Sequence, residues 1–453
     1  MACFSQSVVK HNITINFTTP QPIRLDSIAF YHSPADPPHI PTEIIIAILE
    51  AAYFDEDSRP DFRLLSNCAL VCRDWTEPAQ KLLFRHVSLT TQGAVNSFQA
   101  SVSSRRMGQK HGDSVTRLHI ILDFNDPNRI YPQSLIQTII PCPHLYELDL
   151  SLYGTDPRRG VVDHPNALRM FKNAPDFDDE TLELLRGGPQ ISALHFSNWS
   201  DNFHCTSQLL SVWPSVKFLT LTGCKTQFPR THSPPCKLRH LRLNFQVTPS
   251  VDFMQWLLHD SKGSLRSLEM DREPPVELLD HIVRDHGQTL GSLAIPTCRS
   301  YDYGVSIERC EILREFRIES PWFSPMAVKT LPRTLEHLAF GVDRNTPIHA
   351  ILQAVKACRK LRLLTVHFWH GGETHAMIPT LVKECAQRRI DIVTTTDITH
   401  FRTFMRGDPI PSSFYPLGKS VASMQDMFSA SVRASFGRDD GWQGNIPKEH
   451  VHR

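Results

Sequence analysis

Between about residues 115 and 370 the chain repeats one spacing: an apolar residue, a second three positions on, and a third two positions after that. It reads Leu145-Leu148-Leu150, Ile191-Leu194-Phe196, Val216-Leu219-Leu221, Leu238-Leu241-Leu243 and Leu265-Leu268-Met270. It continues as Leu290-Leu293-Ile295, Leu313-Phe316-Ile318, Leu335-Leu338-Phe340 and Leu361-Leu364-Val366, with Leu118, Ile120 and Leu122 beginning the series. From Leu194 onward the middle positions fall 22 to 27 residues apart. The gap from Leu148 to Leu194 leaves room for one degraded copy near Leu168 to Phe171. The last two apolar residues of each triplet alternate with polar ones, which predicts a short strand with one buried face. Helical spacing is expected over Phe177 to Leu185, Val251 to Leu258, Pro275 to Val283 and Ile348 to Cys358. Strand and helix at a fixed period predict an α/β solenoid, a curved parallel sheet with outer helices. No copy buries its apolar face alone, so only the stack is stable.

Ahead of the repeats, Ile40 to Leu89 carries apolar residues for three short helices. The first run spaces Ile40, Ile44, Ile48 and Ala52 by four, with Ile45 and Leu49 beside them. Pro41 suits a first helical turn, where its missing N–H is no loss. The second run carries Leu64, Leu65, Cys68, Ala69 and Cys72, and the third Trp75, Ala79, Leu82 and Leu83. A unit this small has more apolar positions than three short helices can hide, so part of that surface is expected to meet a partner or a following domain.

The repeat resembles the leucine-rich repeat, whose period is about 20 to 29 residues. Asn is rare at its turn site, which resembles the irregular intracellular repeats that follow F-boxes in many fungal and other eukaryotic proteins. The helical segment in turn resembles an F-box. It reads Ile40-Pro41-Thr42-Glu43, Ile48-Leu49, Leu64-Leu65, Val71-Cys72-Arg73-Asp74-Trp75 and Leu83-Phe84-Arg85, departing only conservatively at Ile40, where Leu is usual. The two resemblances together imply a non-catalytic substrate-recognition subunit of an SCF-type (cullin-RING) E3 ubiquitin ligase. They imply docking on a Skp-type adaptor, and through it a cullin, by Pro41, Ile44, Ile48, Leu49, Leu65, Val71, Cys72 and Trp75. The alternative is a repeat scaffold or inhibitor-like binding protein whose F-box serves complex assembly without ubiquitin transfer.

The expected organisation is a poorly ordered lead over 1–35, an F-box-like helical domain over 36–89, a connector over 90–114, the solenoid over 115–398 and a mostly disordered tail over 399–453. Phe414, Tyr415 and Leu417 of that tail are candidates to fold back on the last repeat. On the sheet face the residues flanking the apolar ones form a ladder. Its rungs are Glu147 and Asp149, His195, Thr220 and Thr222, Arg242 and Asn244, Glu269 and Asp271, Glu315, Arg317 and Glu319, then His337 and His367. Either this exposed ladder or the loops or tail are expected to hold a protein substrate, which the sequence does not name.

Charge narrows the partner class. Lys plus Arg is 48 against 47 Asp plus Glu, so there is no basic field for nucleic acid or anionic lipid. No apolar run reaches the length of a membrane span, and MACFSQSVVKHN lacks the basic-then-apolar order of a secretory signal. Eleven scattered cysteines without a Cys-x-x-Cys pair favour cytosol or nucleus. Cys68 and Cys72 are expected one turn apart on the second helix.

Candidate chemistry fails on geometry. His367, His370 and His375 lie close, but no second cluster completes a metal set. His281 and His286 are five apart and face different sides of a helix, so both are expected at the surface. His370-Gly371-Gly372 lacks a nucleophile elbow, and Gly418-Lys419-Ser420 lacks the glycine five positions earlier that a phosphate loop needs. No cofactor is expected.

Overall fold

The computed structural model describes residues 40–54, 60–103, 111–154, 177–200, 202–224, 226–229, 233–403 and 409–410. The expected lead, the degraded copy near Leu168 to Phe171, and Phe414, Tyr415 and Leu417 lie outside them.

Three helices form where the apolar runs are: α1 (Thr42–Ala51), α2 (Phe62–Cys68) and α3 (Arg73–Leu83). Asp61 opens α2, its carboxylate accepting from the Leu64 N–H at 2.9 Å, so a donor left over at the helix start is satisfied. Cys72 is not on α2 as expected. The Thr76 hydroxyl donates to the Ala69 carbonyl at 2.9 Å, the chain turns there, and Cys72 becomes the extended residue that precedes α3. Ile45, Leu49, Leu65, Ala79 and Leu82 of these helices, with Tyr53 just past α1, make a core separate from that of the repeats. Burial of such side chains is worth roughly 1.5–3 kcal/mol each.

Arg85 ties this bundle to the segment that begins the sheet. Its buried guanidinium donates to Glu50 at 2.8 Å and lies 5.4 Å from the centre of the Tyr53 ring. Its carbonyl accepts from both the Thr116 and Arg117 N–H groups at 3.0 Å.

Among the described residues twelve strands then form one parallel sheet in sequence order. They are β1 (His86–Leu89), β2 (Arg117–Asp123), β3 (Glu147–Gly154), β4 (Ala193–Ser200), β5 (Phe218–Gly223) and β6 (His240–Phe245). The others are β7 (Ser267–Met270), β8 (Ser292–Ile295), β9 (Glu315–Ile318), β10 (His337–Val342), β11 (Leu363–Phe368) and β12 (Asp391–Thr395). The middle residues of the triplets stand in one register row, Leu118, Leu148, Leu194, Leu219, Leu241, Leu268, Leu293, Phe316, Leu338 and Leu364. Where each strand begins, one carbonyl accepts two successive N–H groups of the next coil: Thr116 from Tyr146 and Glu147, Tyr146 from Ser192 and Ala193, and so on to Glu336. Outer helices include Asp179–Arg186, Val251–Leu258, Val276–His286 and Ile348–Ala357, at the expected places. This is a leucine-rich-repeat solenoid.

The series is longer than its leucines. β1 lies inside the segment assigned to the bundle, and Val87 stands in register with Leu118. β12 adds Ile392 beside Leu364. The expected connector over 90–114 carries a helix, Gln92–Ser103, which buries Val95, Phe98 and Val102 on one face. Their three-and-four spacing was readable, but Gln, Ser and Asn around them mask it. β3 and β4 pair directly over eight residues, so no strand stands between them.

The scattered cysteines have a place in this repeat. Cys142, Cys310 and Cys358 sit three residues before the first apolar residue of a triplet, and Cys236 two before. All four are buried. Sγ of Cys142 donates to the Thr138 carbonyl at 3.4 Å and Sγ of Cys358 to the Pro332 carbonyl at 3.6 Å. Burial pushes the Cys142, Cys236 and Cys310 thiols up to about 12, so they act as small packing residues.

Candidate functional site

α1 is apolar on two sides. Ile45 and Leu49 fill the bundle core, whereas Ile44 and Ile48, one turn apart, stand outside, 51% and 45% exposed. The turn between α2 and α3 leaves Leu70 and Val71 85% and 64% exposed. Of the residues expected to dock an adaptor, Pro41, Ile44, Ile48, Val71 and Cys72 are exposed and Trp75 is half-buried. Leu49 and Leu65 are not surface residues: both pack the core, because the helix period turns them inward. Leu70 was not singled out, although a leucine beside Val71-Cys72 was a readable signal.

The ladder divides at β7. From β2 to β6 its members keep partial exposure, and their charges are mostly paired. Arg117 lies 2.9 Å from Glu147, and His195 3.5 Å from the other oxygen of that carboxylate. Arg242 bonds Asp271 at 2.7 Å and approaches Glu269 at 3.4 Å. Asp149 stands in register between His119 and His195, Thr220 follows His195, and Asn244 follows Thr222 in the next row. A cavity of about 290 Å³ opens over this stretch, bounded by Pro60, Phe62, Ser88, His119 and Asp149. A second, of about 110 Å³, lies between His195, Phe218, His240 and Arg242, with Pro409 on its rim. The Phe218 and His240 rings stack there at 4.6 Å.

From β7 to β11 the expected exposure holds in part: Asp271, Glu315 and Glu319 keep partial exposure, and four other members do not. Glu269, Arg317, His337 and His367 are all buried. After β12 the chain forms a further helix, Ile398–Thr403, that lies on this face. Phe401 is fully buried against Ala339 and Ile398, its ring 5.4 Å from that of His367. Arg402 is held on Glu319, with Nε 2.7 Å from Oε2, and Arg317 donates to the Arg402 carbonyl at 2.7 Å. Assigning everything past 398 to a tail hid this cover. The small outward residue Ala339, with Ile398 and Phe401 spaced by three packed against it, was a sequence signal for the cover.

Among the described residues no three His, Cys, Asp or Glu side chains are placed to hold a metal ion. The Gly372 N–H is used in a turn, donating to the Trp369 carbonyl at 2.8 Å, so it is not free for an oxyanion. His286 is buried, against expectation, because the end of its helix turns inward, and burial pushes its pKa down. It borders a cavity of about 410 Å³ on the helix side whose Lys262 lies 3.7 Å from Asp285. No helix among the described residues is long and apolar enough to cross a membrane.

No family model matches the chain, and no curated protein does. Among solved structures it is similar to the leucine-rich repeat-containing protein LegL7 from Legionella pneumophila, at 16% identity over 67% of this chain and 98% of that one, with a TM-score of 0.40. It is similar also to a chain of the Rad7 and Elc1 complex in yeast, at 12% identity over 78% and 92%, with a TM-score of 0.34. An internalin from Listeria monocytogenes matches at 10% identity over 68% and 96%, with a TM-score of 0.28. At such scores these likenesses carry no weight beyond the repeat architecture that the sheet itself displays.

Proposed function

We propose that this chain is a non-catalytic recognition subunit of a cullin-RING ubiquitin ligase, its helical bundle docking on a Skp-type adaptor and its repeats holding a protein target. The observation that carries the reading is on α1. The bundle completes its core with Ile45, Leu49, Leu65 and Leu82, and still presents Ile44, Ile48, Leu70 and Val71 to solvent. Side chains of this kind left outside a finished core are worth burying against a partner. The ladder from β2 to β6 presents mixed, largely paired charge, which suits a protein surface better than a phosphate backbone. The mechanism is proximity: the target is held beside a charged conjugating enzyme, which raises its effective concentration, and no covalent step falls to this chain.

Co-expression with a Skp-type adaptor and a cullin tests this. A stoichiometric ternary complex on size exclusion is expected. Ile44→Asp with Ile48→Asp should abolish adaptor capture and leave the melting temperature nearly unchanged, because both side chains are solvent-facing. Adaptor binding without cullin would favour an assembly role without ubiquitin transfer. Failure of well-folded protein to bind the adaptor would overturn the docking reading.

A further inference from the structure

The cover on β9 to β11 is built like a ligand. The outward row runs Glu269, Ala294, Arg317, Ala339, Thr365 across five adjacent strands. Arg317 reaches over Ala294 to Glu269 at 2.6 Å, which a longer side chain at 294 would block. Ala339 then leaves a notch in the floor, and Phe401 fills it beside His367. The neighbouring Glu319 carboxylate takes the Arg402 guanidinium fork-on-fork, and Arg317 reads the backbone carbonyl of the same residue. An aromatic ring, a cation and a carbonyl are thus recognised at three separate points.

The floor under this cover is polar. A parallel sheet covered for good on both faces reads as continuous apolar strands. Here Arg317, Glu319, His337 and Thr365 lie beneath or beside the cover; Arg317 is bonded to Glu269, and His337 Nε2 lies 2.9 Å from the Thr365 hydroxyl. Arg317, His337 and Thr365 thus keep partners within the floor when it is uncovered, and Glu319 is the group the cover itself neutralises. Phe401 and Ala339 also form a cluster apart from the main core, so the helix can leave without opening the solenoid.

We propose that this face is a binding site for a protein segment presenting an aromatic residue followed by arginine, occupied in cis by Phe401 and Arg402. The proposal deepens the reading that the repeats hold the target: it names the target's chemistry and adds competition. A target segment in trans binds only in the fraction of molecules whose own helix is off the face.

The test is fluorescence polarisation with a labelled peptide of residues 396–403, against the full-length chain and its Phe401→Ala/Arg402→Ala variant. Binding to the variant should be at least about 30-fold tighter than to the wild type, as release of a cis competitor requires. Glu319→Arg in the variant, or Arg402→Glu in the peptide, should remove it. A folded variant that ignores the peptide, or equal binding by both proteins, overturns the proposal. Hydrogen exchange on the wild type gives a second readout that survives a misfolded variant. Amides of Ile398–Thr403 should exchange at least about 100-fold faster than those of β10 and β11, and equal protection overturns the proposal. Neither readout involves the adaptor, so a failure here is distinct from a failure of the docking reading.

Discussion

Adjacent residues on α1 do opposite work. Ile44 and Ile45 are chemically identical, and the helix period alone sends one to solvent and the other to the core. At the same scale, His337 is expected to couple stability to pH. Burial, and then the Arg317 charge beside it, push its pKa down to about 4. The unfolded chain therefore takes up a proton near pH 6.5 that the folded chain refuses until about pH 4. The stability contributed by neutral His337 is complete above pH 6.5 and is lost as pH falls through that window, on the order of 3 kcal/mol at most. His337→Gln should shrink the stability difference between pH 7 and pH 4.5 by roughly 2 kcal/mol, read from urea midpoints at the two pH values. An unchanged difference would place the titration elsewhere.

Single elements are held by close approach of backbones. β5 ends at Gly223 with φ +104°, and a Cβ there would stand 2.1 Å from the Asn198 carbonyl oxygen of β4. Both the left-handed backbone and the contact exclude a side chain. Gly223→Ala should cost about 2 kcal/mol or more in denaturant unfolding, whereas Gly263→Ala, with φ +79° and open space around it, should cost only the backbone strain of about 1 kcal/mol. Equal losses at the two positions would show that β4 and β5 separate easily. The strands themselves were legible because a middle leucine and its partners two and three residues away must all face one core. β1 and β12 were not, because the edge strands expose more of their length and so need no such triplet: Val87 and Ile392 are only half-buried.

The whole molecule carries two large cores among its described residues, the six-residue one of the bundle and the long one running from Leu89 to Ile390, beside the small Ala339–Phe401 cluster under the last helix. Arg85, with its pair to Glu50 and its carbonyl shared by Thr116 and Arg117, is a polar link between the two large ones. Leu65→Ala should cost about 2–5 kcal/mol, and in so small a core that is enough to open it. Hydrogen exchange is then expected to lose protection over α1 to α3 while β5 to β10 keep theirs, as stacked repeats with nearest-neighbour contacts allow. Loss across both regions at once would show one cooperative unit. Local periodicity, which any folded form must obey, was enough for the repeat, its register and the broad apolar stripe of α1, though not for which part of that stripe faces the core. Only contacts between segments far apart along the chain settled that Arg317 and His367 are buried and that Phe401 and Arg402 sit on the ladder. Those facts depend on contacts between residues up to 85 positions apart, such as Arg317 with Arg402, and a pattern read a few residues at a time holds no record of what will lie on top of it.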